Sequence, residues 1–189
     1  MDLRDWIMTD HRLLSSRLAD QVLAHVPTVR QPERADGGGS SITFLLWHIA
    51  RHHDLAVNAV VRGIDPLLAA WQERVGCHGM APGMALAEAE DRAITEQLDP
   101  EGVVGYHEAV GAATAAWLAE LDLATLDDVP DAAGVLAGAG VSEAEFPWLH
   151  RMWEAKPVSW YISWEAIGHG ITHVGEMVSI RNRLGLSPF

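Results

Sequence analysis

The chain has 189 residues, a formal net charge of −13 and a single cysteine, Cys77. This length is enough for one domain with a full hydrophobic core, and we expect a single domain over residues 1–189. A surface this acidic repels phosphate backbones and anionic lipid heads, so neither nucleic acid nor a membrane is an expected partner. The lone thiol, the charged N-terminus without a signal core and the lack of any ~20-residue apolar run predict a cytoplasmic protein.

The first predicted helix covers residues 1–26, where apolar side chains recur at helical spacing until Pro27. Prolines and glycines then predict a loop. The second helix begins near Ser40 or Ser41, either of which can cap its free amides, and it ends at Gly63. Because this helix is apolar nearly all round, we expect it at the centre of the fold.

Two shorter helical segments are predicted at residues 65–76 and 84–98. A third long helix starts at Asp99, which is followed by a first-turn proline, and continues to Leu121. Residues 122–157 are expected to be the least regular part of the chain, and the stretch 127–146, which is rich in Gly, Ala and acids, is expected to wrap the surface. Within residues 122–157, the aromatic segment "PWLHRMW" is expected to cover a pocket or join a subunit contact.

The last predicted helix is capped by Ser159 and ends at Gly185. The chain thus contains four long helices with small insertions, and it shows no convincing pattern of alternating strands. These features predict an all-α fold, a four-helix bundle with short extra helices.

Two histidine pairs interrupt apolar helix surfaces, His169 with His173 and His48 with His52. Residues four apart lie one turn apart on the same helix face, so each pair can present two imidazoles to a metal ion. Three histidines would leave an open coordination position, as catalytic sites do, whereas four would close the site. Spacing alone does not choose between His48 and His52, and His53 points elsewhere. The other histidines are expected to be ordinary surface or core residues: His11, His25, His78, His107 and His150.

Two familiar metal sites do not match this pattern. A zinc metalloprotease helix needs H-E-x-x-H, and Gly170 stands where that glutamate would act as the general base. A di-iron bundle needs Glu-x-x-His pairs, but Glu165 precedes His169 by four residues rather than three.

The segments "LLWHIARHHD" and "GHGITHVGEM" resemble the DinB-like superfamily, which includes the YfiT-like metal-dependent thiol transferases. The resemblance implies a four-helix bundle in which His48, His169 and His173 hold a divalent metal, zinc or nickel, and it also implies a homodimer. It further implies catalysis with a thiol such as mycothiol, bacillithiol or glutathione. Glu176 departs from the glutamine often found there, so it is expected either to orient His173 or to add negative charge beside the metal.

The leading hypothesis is therefore a metal-dependent thiol S-transferase acting on a small-molecule substrate, and the alternative is a non-catalytic, stress-related metal-binding dimerisation module. A third possibility is hydrogen-bonded core histidines without a metal. Glu165 is a candidate for orienting His169 or for acid–base chemistry, with surface exposure as the alternative.

Trp47, Trp160 and Trp164 are candidates to line the cavity, with core packing as the alternative. Arg51 and Arg181 are candidates to meet a carboxylate of the thiol or substrate, with solvated surface charge as the alternative. Asp54 is a candidate to hold an imidazole from another helix, and Cys77 is a nucleophile candidate that lacks an oriented base.

Overall fold

The computed structural model describes residues 2–79, Met84 and residues 88–189. In that part of the chain the regular structure is helical and no strand is present, which confirms the all-α prediction. The α-helices are α1 (Leu3–Leu18), α2 (Ile42–His53), α3 (Leu68–Val75), α4 (Glu88–Thr95), α5 (Pro100–Glu120), α6 (Ala132–Gly138), α7 (Pro147–Trp153), α8 (Val158–Trp160) and α9 (His169–Arg183). The predicted segment 84–98 appears as α4, and its residues 85–87 lie outside the described residues.

π-Helical turns extend three of these helices. Ala19–Leu23 continues α1, Asp54–Val61 continues α2, and Tyr161–Gly168 joins α8 to α9. The helices that carry both histidine pairs therefore contain π-helical turns directly beside those pairs, a placement that is common at functional sites.

Four long helices form the bundle: α1, α2, α5 and the continuous helix from α8 to α9. α2 packs against α5 and α9, and α1 packs against the same two helices, so α1 and α2 occupy opposite corners. No helix in the described part of the chain is both long and apolar enough to cross a membrane.

Local capping signals explain where several helices begin. The side chain of Ser41 accepts a hydrogen bond from the Phe44 amide at 3.1 Å, and that of Asp99 accepts one from the Gly102 amide at 2.7 Å. The prediction that Ser159 caps the last helix is wrong. That helix starts one residue earlier, at Val158, and no side chain caps it because Pro157 precedes it.

Residues 122–157 are more ordered than their composition predicts. They contain α6 and α7, whose Leu136, Leu149 and Trp153 are fully buried against Leu55 and Tyr161. The prediction that residues 127–146 wrap the surface is therefore wrong for α6, which forms a second apolar core with α7 at the π-helical end of α2.

Asp54 anchors the start of α3 to the bundle core. Its carboxylate accepts hydrogen bonds from the amides of Leu67 and Leu68, both at 3.0 Å. It also accepts hydrogen bonds from the Tyr106 hydroxyl and the Asn58 side chain, each at 2.6 Å. Burial and this carboxylate raise the pKa of Tyr106 despite the neighbouring Arg51 guanidinium. Asp54 is thus a structural residue, and it does not hold an imidazole.

A second group of buried histidines, His11, His53 and His107, lies between α1, α2 and α5. The His11 and His53 rings meet edge to face with centroids 5.9 Å apart, and His53 Nε2 lies 2.8 Å from the Thr114 hydroxyl. Burial and mutual repulsion lower the pKa of His53 well below its usual value, and the same causes lower that of His107 to about 4. These imidazoles are therefore neutral in the folded protein.

We predict that the folded state loses stability as the pH falls from about 6.5 towards 4. Over that range the unfolded chain binds protons on these histidines while the folded chain excludes them, which costs on the order of 1 kcal/mol per pH unit for each group. Urea unfolding at pH 7.5, 6.5, 5.5 and 4.5 measures the effect. The His107→Gln variant should lose less stability over this range, whereas His78→Gln, on the surface, should follow the wild type. Parallel pH profiles for His107→Gln and the wild type would contradict this account.

Candidate metal centre

Three imidazole nitrogens from two helices converge inside the bundle. His169 Nε2 lies 3.2 Å from His48 Nε2 and 3.1 Å from His173 Nε2. α9 presents His169 and His173 one turn apart, and α2 presents His48 from the opposite side. All three side chains are buried. The structure therefore brings together the three histidines that the resemblance singled out, a group that we call the histidine trio.

The trio's spacing suits a metal ion. Ligand nitrogens of a tetrahedral ion with bonds of about 2.0–2.1 Å lie about 3.3–3.4 Å apart, close to the separations seen here. The same separations are also hydrogen-bond distances, in which one nitrogen of each pair would donate, whereas a bound ion would take a lone pair from all three. Burial, followed by repulsion from His52, His173 and His53, lowers the pKa of His169 to about 2, which keeps it in the neutral form that binds metals.

Carboxylates lie behind two members of the trio. His173 Nδ1 donates to Glu176 Oε2 at 3.0 Å, which leaves its Nε2 without a proton. His169 Nδ1 faces Glu165 Oε2 at 3.7 Å, and the Trp153 indole donates to Glu165 Oε1 at 2.7 Å. Glu165 is 1% exposed, so the alternative of a surface position for it is wrong.

His52 is separated from the trio although it lies one turn from His48. Its Nε2 donates to the Met84 carbonyl at 2.9 Å, and its Nδ1 faces Glu165 Oε2 at 3.4 Å. The structure thus places His48, and not His52, with the pair on α9. His53 points towards Thr114 on α5 and lies outside the site.

The trio forms part of the wall of a cavity of about 340 Å³. Besides His48, His52, His169 and His173, its lining residues are Met84, Trp148, Met152 and Trp164. None of these described lining residues carries an acidic group, a lysine or an arginine. Trp164 lies nearly parallel to His169, with ring centroids 5.9 Å apart, and Trp148 lies likewise against His52 at 6.1 Å. The cavity is therefore an aromatic and thioether pocket with imidazoles in its wall.

The "PWLHRMW" segment supplies Trp148 and Met152, as expected of a segment that covers a pocket. No local pattern in the sequence indicates that Met84 lines the cavity. Of the three tryptophans considered as lining residues from the sequence, only Trp164 lines this cavity. Trp47 is buried against Tyr106, and Trp160 lines a separate cavity.

The remaining candidates also lie elsewhere. Arg51 is buried and donates to the Tyr106 hydroxyl at 3.2 Å, and buried Arg181 donates to the Gln21 carbonyl. Both arginines are thus core residues, and the expectation that they are solvated surface charges is wrong. Cys77 is buried, which raises the pKa of its thiol and disfavours a nucleophilic role.

The family model of the DinB superfamily matches residues 9–177. The chain belongs to the DinB superfamily. A crystal structure of a conserved protein from Enterococcus faecalis is similar, with 18% identity, a TM-score of 0.70 and coverage of 97% of each chain. That likeness concerns the fold. No curated protein matches the chain.

We predict that the purified DinB protein retains a divalent ion at the trio after loading with Zn²⁺ or Ni²⁺ and desalting. The His48→Ala/His173→Ala double variant should lose at least one equivalent, because one imidazole cannot hold the ion alone. Elemental analysis checks this, with His78→Ala as the control for loss of an exposed histidine. Equal metal content in the double variant and the wild type would exclude the site.

Proposed function

We propose that this DinB protein is a metal-dependent S-transferase that joins a low-molecular-weight thiol to a small electrophile. The observation that supports this is the opening of three clustered imidazoles onto an apolar cavity. The alternative, a non-catalytic metal-binding module, does not account for a cavity beside the trio.

A divalent ion, zinc or nickel, held by His48, His169 and His173 would stabilise the thiolate form of the thiol, which is its nucleophilic form. In the transfer the thiol gives up its proton and its sulfur forms a bond to the electrophilic carbon. The leaving group then departs with the electron pair of the broken bond.

The protein's own residues would orient the reactants and exclude water. Trp148 and Trp164 offer ring faces to a flat electrophile, and Met84 and Met152 complete an apolar surface around it. Glu176 would hold His173 in place from behind, since its carboxylate accepts a hydrogen bond from Nδ1, and Glu165 faces His169 Nδ1 at 3.7 Å without a hydrogen bond.

The cavity chemistry also favours an uncharged thiol. A carboxylate moved into this pocket would lose water without meeting a cationic side chain among the described lining residues. The net charge of −13 also repels anions at long range. Of the thiols that the resemblance implies, mycothiol carries no carboxylate, whereas glutathione and bacillithiol each carry two. A mycothiol-type thiol is therefore the proposed substrate class.

Activity can be measured with 1-chloro-2,4-dinitrobenzene, which releases chloride as the thioether forms. We expect metal-loaded protein to accelerate this reaction and His48→Ala to abolish the acceleration, with His78→Ala as the control. N-acetylcysteine methyl ester should show a kcat/KM at least about tenfold above that of N-acetylcysteine, because only the acid must desolvate a charge. The absence of acceleration with any thiol would favour the non-catalytic module, and a preference for the acid would contradict the proposed thiol class alone.

The two cavity tryptophans should contribute to electrophile binding. We expect Trp164→Ala or Trp148→Ala to raise the KM for the dinitrobenzene substrate roughly three- to tenfold, as loss of one aromatic contact predicts. Metal content should not change. Trp6→Ala serves as the control, because Trp6 is 53% exposed and lines a different cavity. An unchanged KM in both cavity variants would show that the electrophile does not bind between these rings.

A further inference from the structure

Three buried atoms beside the trio face one another without a hydrogen bond. They are His52 Nδ1, Glu165 Oε2 and His169 Nδ1, and none has a hydrogen-bond partner among the described residues. Glu165 Oε2 lies 3.4 Å from His52 Nδ1 and 3.7 Å from His169 Nδ1. Leaving such atoms unpaired in the interior is costly, so their convergence calls for an occupant.

The other polar atoms of these residues have close contacts. His52 Nε2 lies 2.9 Å from the Met84 carbonyl, Glu165 Oε1 accepts from Trp153 at 2.7 Å, and His169 Nε2 belongs to the trio. In a neutral His52 ring, Nε2 carries the proton that it donates to the carbonyl, and Nδ1 then presents a lone pair. That lone pair faces a carboxylate oxygen, an arrangement that repels unless a cation lies between them.

The separations suit coordination better than hydrogen bonding. The hydrogen bonds of these residues to Met84 and Trp153 measure 2.9 and 2.7 Å. Glu165 Oε2 lies farther from the two unpaired nitrogens, at 3.4 Å from His52 Nδ1 and 3.7 Å from His169 Nδ1. Ligand atoms about 2.1 Å from a shared ion lie about 3.3–3.7 Å apart at bond angles of about 105–125°. Two imidazoles and one carboxylate also form a known zinc ligand set.

We propose that His52, Glu165 and His169 form a second divalent-cation site, which the His169 ring joins to the first. His169 would bind one ion through Nε2 and the other through Nδ1, whose proton is released when the second ion binds. The imidazolate and the Glu165 carboxylate then supply two negative charges to a divalent ion. His52 and His169 both line the cavity, so the ion could enter from there. The proposal does not depend on thiol transfer.

The test is a count of bound ions. Metal-stripped protein loaded with Zn²⁺ and desalted should contain two ions per chain by elemental analysis. Glu165→Gln and His52→Gln should each contain one. Glu176→Gln is the matched control, because it removes a carboxylate from His173 and leaves the second ligand set intact, so it should retain two. A single ion in the wild type, or two in Glu165→Gln, would overturn the proposal even though thiol transfer at the trio could still occur.

Copper supplies a second readout of the bridge, with Glu165→Gln as the one-ion reference. Two Cu²⁺ ions joined by one imidazolate couple antiferromagnetically, so the electron paramagnetic resonance signal of the two-copper protein should fall well below that of two isolated ions. One-copper Glu165→Gln should give the full signal of one ion. Two bound coppers with the full signal of independent ions would rule out His169 as the bridge.

Discussion

The burial of α2 on every side is the constraint on which the rest of the structure depends. Every residue from Ile42 to Val60 is buried, including charged and polar ones. A buried polar group without a partner costs free energy, and several of these side chains find a partner on another element. The partners differ from residue to residue: α9 for His48, α5 for Arg51 and His53, and the amides at the start of α3 for Asp54. The polar groups of one helix thus set the positions of several neighbours.

The buried histidines of α2 therefore face two different sides of the helix. His48 and His52 face the cavity and the last helix, whereas His53 faces the packed interior between α1 and α5. Burial lowers the pKa of His53 and of the neighbouring His107, whereas His52 faces the Glu165 carboxylate and lines the cavity with His48. The candidate metal centre and the acid-sensitive histidines therefore lie on different sides of α2.

Much of the fold could be predicted because its signals are local. Ser41 and Asp99 cap their helices as their positions in the sequence indicate, and helical spacing gave the four long helices. The prediction that Ser159 caps the last helix failed because the helix begins at Val158, directly after Pro157, and has no side-chain cap. The helices at 132–138 and 147–153 are short and depend on packing against the end of α2, which composition does not reveal.

The candidate site was predictable only where the spacing of residues carries information. Helical spacing places His169 with His173, and the resemblance, not the spacing, favoured His48 over His52. Spacing cannot indicate that Arg51 and Arg181 are buried, because charged residues are usually exposed. No local pattern indicates that Met84 lines the cavity, and its carbonyl accepts a hydrogen bond from His52 Nε2.

The two carboxylates beside the trio differ in their exposure to solvent. The Glu176 side chain is 44% exposed, so water and salt screen its charge, whereas the Glu165 side chain is fully buried. Solvent therefore screens the Glu165 side chain less than that of Glu176, and the Trp153 indole on α7 holds the Glu165 carboxylate in place with a hydrogen bond. Neither carboxylate lines the cavity, so their negative charge can attract a cation to the imidazoles while the space offered to a substrate remains apolar.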